Sequence, residues 1–453
     1  VNGQGVPISL QNGFRISVFA QVSQCRGLAV SPDGVLYATS YSDSSIYALP
    51  DHRHLGKPDS VIRIVRSLAH PHGLGFLHDT LYFSTSHDLD KVVATNSDRS
   101  AKTVVKLLSG FNTGDHITHT FVFDTVRQKI LMQKGSPCNY CTTSDTTLAT
   151  IMEYNYDGTG GRIYARGLRN AVGLDLDPRT NLLWTNVNGM DDLFSSNVAI
   201  HDTLPREGIY LVCDGANYGW PYAYSFRMRN PEMMGVDTSY IQSLSGPVAE
   251  VLAHEAPLGL HFYRGTTLPP LYHHAIFQAV HGSWDASPPA PPRVIVMWAD
   301  SDGKNARFQD FMTGFQYANG SRWGRCVEVT EGPDSALYVS DDQAGAIYRI
   351  TYVGPQSSVA KADGASLTQL YVDTNFPNPF HGKTTINYTL RKTSQLTFDL
   401  FDDLGRKVRN VLNAQAAPGS HSLEINCSDL PAGSYYLRAS GAGVVQTVRL
   451  VIE

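Results

Sequence analysis

A short phrase that occurs six times constrains this chain more than any other feature. Its first copy runs strand, turn, strand: Arg26-Gly27-Leu28-Ala29-Val30, then Ser31-Pro32-Asp33-Gly34, then Val35-Leu36-Tyr37-Ala38-Thr39. It returns as His72-Gly73-Leu74-Gly75-Phe76 with Thr80-Leu81-Tyr82-Phe83, and as Thr120-Phe121-Val122-Phe123 with Lys129-Ile130-Leu131-Met132. Later copies are Val172-Gly173-Leu174-Asp175-Leu176 with Leu182-Leu183-Trp184, and Leu258-Gly259-Leu260-His261-Phe262 with Ala275-Ile276-Phe277. The last is Cys326-Val327-Glu328-Val329 with Ala336-Leu337-Tyr338-Val339. Each run alternates apolar and polar residues, as half-buried antiparallel strands do. One such unit cannot bury both faces, so the copies must stack on one another. The expected fold class is therefore all-β: a six-bladed β-propeller over residues 1–353. A large β-sandwich would explain the alternation but not the sixfold phrase.

Composition agrees with many short strands. Gly (39), Pro (24) and Tyr (23) are plentiful and charged residues make up only 17%, which favours tight turns over long helices. The net charge of −5, with scattered Lys and Arg, argues against a nucleic-acid surface. No apolar run reaches the roughly 18 residues of a membrane span, so no transmembrane segment is expected. Val1 begins without a basic or apolar leader, so the expectation is a signal peptide already removed or none. Of the six cysteines, only Cys138 and Cys141 have motif spacing. They read as a local disulfide or as buried free thiols, with no second pair to complete a zinc site.

Past residue 353 the character changes. Residues 354–366 are rich in Gly, Ser and Ala and read as a linker. Residues 367–453 alternate as strands over 384–390, 396–401, 421–425, 434–438 and 446–452, predicting a small immunoglobulin-like β-sandwich.

Several polar residues fall just before or after an innermost strand, where a propeller points them at its axial funnel: His72, His116, Arg169, Asn170, Asp191, Asp192, His254, His281 and Arg325. Arg forks and His donors suit a flat, polycarboxylated anion, and a neutral His can take a proton near pH 7. His78, His201, His273 and His274 lie in predicted loops and are expected to be solvated.

Two resemblances follow from these residues. The tail, with Asn375 to Phe380, Asp402 to Arg406, Leu430 to Tyr435 and Arg449-Leu450-Val451, resembles the C-terminal sorting domain of the type IX secretion system. That implies a secreted or cell-surface protein exported by that machinery. The rest resembles the soluble quinoprotein sugar dehydrogenases of the sorbosone and pyranose dehydrogenase branch. The phrases that carry it are Gly135-Ser136 with Cys138-Asn139 and Cys141, Gly167-Leu168-Arg169-Asn170, Asn217-Tyr218-Gly219-Trp220-Pro221, His281-Gly282-Ser283-Trp284, Trp323-Gly324-Arg325 and Ser340-Asp341-Asp342.

The second resemblance implies pyrroloquinoline quinone (PQQ) and Ca²⁺ as cofactors, and hydride transfer from an aldose or sugar aldehyde, with electrons leaving to an external acceptor. It implies His116 as the catalytic base. Cofactor contacts would come from His72, Arg169, Asn170, His254, His281 and Arg325. Calcium would take main-chain oxygens around Gly189 and Met190, with Asp191 or Asp192 beside them. The chain departs from the family at Gly189, Met190, His119, Asp285 and Ala286. The competing readings are a carbohydrate- or protein-binding propeller without catalysis and a calcium-dependent lactonase.

Overall fold

The computed structural model describes residues 7–111, 114–194, 197–283, 285–354, 370–372, 375, 377–390, 392–402, 406–441 and 444–453. The predicted linker, residues 354–366, lies outside these apart from Gly354. The chain divides into two compact units, 1–357 and 358–453.

Among the described residues of the first unit, six antiparallel sheets of four or five strands follow one another along the chain, besides a two-stranded ribbon of Ala223–Tyr224 and Met228–Arg229, and each repeat phrase forms the first two strands of one of the six. The first sheet runs Cys25–Val30, Leu36–Ser40, Ser45–Leu49 and Ile62–Val65, in that spatial order. The next four begin at Leu74–Leu77, Phe121–Asp124, Ala171–Leu176 and Pro257–Phe262. The sixth comprises Cys326–Glu331, Leu337–Asp341 and Ala346–Tyr352, and takes the early strand Phe14–Gln21 as its outer edge. That pairing ties the beginning of the unit to its end. Ser9–Leu10 likewise edges the fifth sheet.

Packing between sheets is apolar at every step. Val35, Tyr37 and Ile46 of the first sheet meet Leu81, Phe83 and Val92 of the second. Trp184 and Ile209 of the fourth meet Phe262 and Ile276 of the fifth. Leu28 and Tyr47 of the first also meet Tyr338 and Ile347 of the sixth. Each face therefore buries against a neighbour on both sides, as a lone four-stranded sheet cannot.

The glycine inside the phrase has a steric reason. A Cβ at Gly27 would lie 1.8 Å from the main-chain oxygen of His72 in the next sheet. One at Gly173 would lie 2.2 Å from the oxygen of Leu258. Innermost strands thus approach backbone to backbone, which only a residue without Cβ permits. Gly27→Ala is expected to destabilise the first unit by about 1–3 kcal/mol through forced backbone displacement. A urea midpoint unchanged from wild type would refute that account.

The second unit packs two sheets face to face. One orders Leu370–Val372, Lys383–Leu390 and Gly419–Asn426; the other orders Lys407–Ala416, Ser394–Phe401, Gly433–Gly441 and Val444–Ile452. Ile386, Leu390 and Ile425 of the first meet Leu396, Phe398 and Leu437 of the second. The edge strand Lys407–Ala416 had no counterpart in the sequence reading. Its residues alternate only in two short runs, Lys407-Val408-Arg409 and Leu412 to Ala416, because a register shift at Val411 breaks the period. Among the described residues, no helix is long and apolar enough to cross a membrane.

Candidate active site

The site lies at one mouth of the first unit, where innermost strands begin and second strands end. A cavity of about 330 Å³ opens there. Arg26 and Asn170 flank the starts of innermost strands, and His72 precedes Leu74–Leu77 by two residues. His116 to Thr118 approach Phe121–Asp124, and Asp342 follows Leu337–Asp341. Gln24, Tyr41, His70 and Asp115 complete the wall.

His72 is 3% exposed, and among the described residues neither ring nitrogen has a hydrogen-bond partner. Burial, with Arg26 nearby, drives its pKa well below the ordinary value, so the ring is neutral. Asn170 is also buried; its Nδ2 donates to Asn188 Oδ1 at 3.0 Å while its own Oδ1 is unpartnered. Buried polar atoms left without partners at a cavity wall are places for a polar ligand.

His116 is more tightly specified. Burial and the Arg169 guanidinium lower its pKa to about 4, so it is neutral at pH 7. Its Nδ1 lies 3.0 Å from both the main-chain oxygen and the Oγ of Ser136. The Ser136 hydroxyl spends its one proton on the Cys138 carbonyl at 2.7 Å. Nδ1 must therefore carry the ring proton and donate, which leaves Nε2 with the lone pair. A neutral imidazole with a free Nε2 on a cavity wall is equipped to accept a proton.

Across the mouth, Arg26 Nη1 reaches Asp342 Oδ2 at 2.7 Å, and His281 Nε2 reaches Asp342 Oδ1 at 3.1 Å. Burial lowers the His281 pKa to about 4, so this contact is a hydrogen bond from a neutral ring. Arg325 turns away from the cavity and donates to the carbonyls of His281 (3.1 Å) and Gly282 (3.2 Å).

Arg169 is 5% exposed and does not line this cavity. Its Nε donates to the Asn139 carbonyl at 3.1 Å, and its Nη2 donates to Asn139 Oδ1 at 3.0 Å and to Asp191 Oδ2 at 2.9 Å. Asn139 is the hub: its Oδ1 also accepts from the Asp191 amide, and its carbonyl from Trp220 Nε1 at 2.9 Å. Cys138 and Cys141 form a disulfide with Cα atoms 6.3 Å apart, so Asn139 sits inside a closed four-residue loop. The Cys-x-x-Cys, Leu-Arg-Asn, 188–192 and Gly-Trp-Pro segments thus meet at one asparagine.

The predicted calcium loop is built into the same knot. The Gly189 amide donates to Glu207, a buried carboxyl pushed by desolvation up to about 8. The Met190 side chain is buried beside Trp220 and Tyr224. Burial would raise the Asp191 pKa, but His254 and Arg169 overcome it and hold the carboxyl below the ordinary value. Asp192 is exposed. His254 is 3% exposed, with its Nδ1 3.9 Å from Asp191 Oδ1 and 3.2 Å from Asp285 Oδ2. Burial alone would lower its pKa, but those carboxylates and the His201 carbonyl raise it to about 9.

Of the predicted site residues, the cavity collects His72, His116 and Asn170, with His281 one hydrogen bond behind its wall. Arg169, Asp191 and His254 form a separate buried network. Sequence reading passed over Asn139, Arg26 and Asp342 as site residues. Arg26 holds, in the first repeat phrase, the position that His72 holds in the second, so aligning the copies would have found it. His201, expected to be solvated, is 9% exposed because it packs on His254, with ring centroids 4.5 Å apart. His119 is 1% exposed against Phe111, and burial lowers its pKa to about 4.

Comparison with known proteins fits this picture. The TrAA12-like family model matches residues 8–353, and the secretion system C-terminal sorting domain matches residues 374–453. A Borreliella burgdorferi protein is 26% identical over 363 residues, covering 76% of this chain and 91% of that protein. The pyrroloquinoline quinone-dependent sugar dehydrogenase of Hypocrea jecorina is 25% identical over 190 residues, covering 36% of this chain and 44% of that protein. Among solved structures, the Trichoderma reesei family AA12 protein superposes with a TM-score of 0.68 at 18% identity, covering 78% of this chain and 99% of that one. The PQQ domain of Coprinopsis cinerea pyranose dehydrogenase gives 0.65 at 20% identity, covering 77% and 97%. At such identities the superpositions speak for the fold, and the family model spans nearly the whole first unit. The chain belongs to the TrAA12-like family of PQQ-dependent sugar dehydrogenases and ends in a type IX sorting domain that addresses it to the cell exterior.

Proposed function

We propose that the first unit is a six-bladed propeller that holds PQQ at its cavity and oxidises an aldose or sugar aldehyde, passing electrons to an external acceptor. The observation that carries this reading is the pairing of His116, neutral with a free Nε2, with the unpartnered buried atoms of His72 and Asn170 on one cavity wall. Those atoms, with the Arg26 guanidinium, fit a flat polar anion. The relatives fit it too, since two of those compared are PQQ-dependent sugar or pyranose dehydrogenases by name.

When bound, PQQ supplies the two-electron acceptor and calcium a Lewis acid. His116 takes the hydroxyl proton of the sugar at Nε2, and the Ser136 carbonyl steadies the imidazolium through Nδ1–H. His281 and Asp342 hold Arg26 in place. Calcium would sit on main-chain oxygens at Gly189 and Met190. Asp191 stays engaged with Arg169 and His254, so its part is to fix the loop.

The test is reconstitution of the full chain with PQQ and Ca²⁺, followed by reduction of an artificial dye with a panel of aldoses. Saturable PQQ binding with aldose-dependent dye reduction is expected. No PQQ binding in a titration would refute the reading and leave a carbohydrate-binding propeller in its place. Lactone hydrolysis without PQQ would point to the lactonase.

A further inference from the structure

Three side chains from three separate loops converge behind the Arg169 network. His201 closes the short helix Val198–His201, His254 immediately precedes Pro257–Phe262 by three residues, and Asp285 lies in the loop after Ile276–Val280. One donor atom from each lies within 4.8 Å of the others. His254 Nδ1 is 3.2 Å, and His201 Nε2 3.8 Å, from the same Asp285 oxygen, Oδ2. The side chains are 1%, 11% and 9% exposed respectively for His254, His201 and Asp285. Despite these short distances, among the described residues neither carboxylate oxygen of Asp285 has a hydrogen-bond partner, nor does His201 Nδ1. The His254 ring offsets part of the charge at Oδ2, and a carboxylate this buried without hydrogen bonds remains costly until a cation completes it.

We propose that His201, His254 and Asp285 form a site for a divalent transition ion of the zinc type, distinct from the predicted calcium position. The donor spacing fits. Ligand atoms about 2.0–2.1 Å from a tetrahedral zinc lie about 3.3 Å apart; the 3.2 Å contact matches this, and the 3.8 Å contact would close slightly around an ion. The donor set fits as well, because two imidazole nitrogens and one carboxylate suit zinc, whereas calcium takes oxygen ligands.

A further observation fixes the tautomer. His254 Nε2 lies 2.8 Å from the main-chain oxygen of His201, so Nε2 keeps its proton and Nδ1, on the Asp285 side, is the nitrogen that would release its proton to ligate an ion. A ligating histidine is typically oriented in this way, through its other nitrogen. His254 adopts a left-handed backbone conformation (φ 61°), uncommon for a residue with a side chain, and this hydrogen bond helps to hold it. The Ser287 amide donates to Asp202 Oδ1 at 2.9 Å, which docks the Asp285 loop beside His201 without any ion. Asp191 Oδ1, 3.9 Å from His254 Nδ1, adds negative charge beside the site while its Oδ2 stays bonded to Arg169. An ion here would staple three loops beneath the mouth, and its binding does not depend on the PQQ reading.

The experiment uses the full chain, treated with chelator and kept in excess Ca²⁺, to which Co²⁺ or Zn²⁺ is added. Retention of one zinc per chain through gel filtration is expected, with the visible ligand-field absorption of low-coordinate cobalt. The pair His201→Ala with Asp285→Ala should abolish both signals. His261→Ala, in the distant cluster with Asp175, should retain them. Should the double variant fail to fold, the near-isosteric Asp285→Asn gives the same readout. No retained ion in the wild type, or retention undiminished by the Asp285 substitutions, overturns the site and leaves a proton-held ion pair.

Discussion

His116→Ala is expected to lower kcat/KM about 10²–10⁴-fold, the usual contribution of a positioned general base, while PQQ still binds. The reason is the ring's hydrogen-bond arithmetic. Ser136 Oγ gives its proton to Cys138, so Nδ1 has to donate and Nε2 is left as acceptor. A pH profile is a second check on the same residue. The basic form is the active one, and burial with Arg169 nearby lowers the His116 pKa to about 4. Activity should therefore persist as pH falls below the ordinary histidine range near 6.5 and be lost on passing about 4. An acid limb near 6.5 would mean that another histidine is the base. Turnover surviving the alanine substitution would remove His116 from the chemistry.

Arg169→Ala is expected to cost about 3 kcal/mol of stability, the low end for breaking a buried ion pair. The low end applies because Asp191 keeps 27% side-chain exposure, so water can partly compensate its stranded charge. The loss also removes one of two donors from each of the Asn139 carbonyl and Oδ1, which keep Trp220 Nε1 and the Asp191 amide. Arg169→Lys should recover little, since an ammonium cannot bridge Asn139 and Asp191 as a planar fork does. Adding Asp191→Asn should cost less than the sum of the single effects, because the stranded carboxylate is then gone. Chemical denaturation of the four proteins reads this cycle. If Arg169→Ala shifts stability no more than a surface change, within about 0.5 kcal/mol, its role is direct contact with the cofactor rather than bolting the loops.

The repeat was legible because it follows from local physics. Alternation marks half-buried strands, and a phrase repeated six times marks units that must stack. The innermost strands begin where those phrases do. The strand Lys407–Ala416 was not legible, since a register shift opposite Phe398 and Asp399 breaks its alternation and only Val411, Leu412 and Ala416 reach the core. His72, His116 and Asn170 could be picked out by position at strand ends, and they do line one cavity.

What the sequence could not provide was the direction of each side chain and its partners. Arg169 and Asn170 are adjacent in the chain and on one strand approach, yet Asn170 lines the cavity while Arg169 is bound to Asn139 and Asp191. Arg325, suited by type to an anion, is spent on two carbonyls. Nothing local distinguishes His201 from the exposed His78 and His274, or from His273, which is half-buried with Nε2 3.0 Å from the Leu268 carbonyl; His201 is buried because His254 and Asp285 arrive from loops 53 and 84 residues away. By itself, then, the sequence determined the strands, their repeated stacking and the mouth where the chemistry gathers, because periodicity and glycine placement act over a few residues. Only the tertiary structure decided which polar groups face the cavity and which neutralise one another, because burial and pairing depend on neighbours from distant parts of the chain.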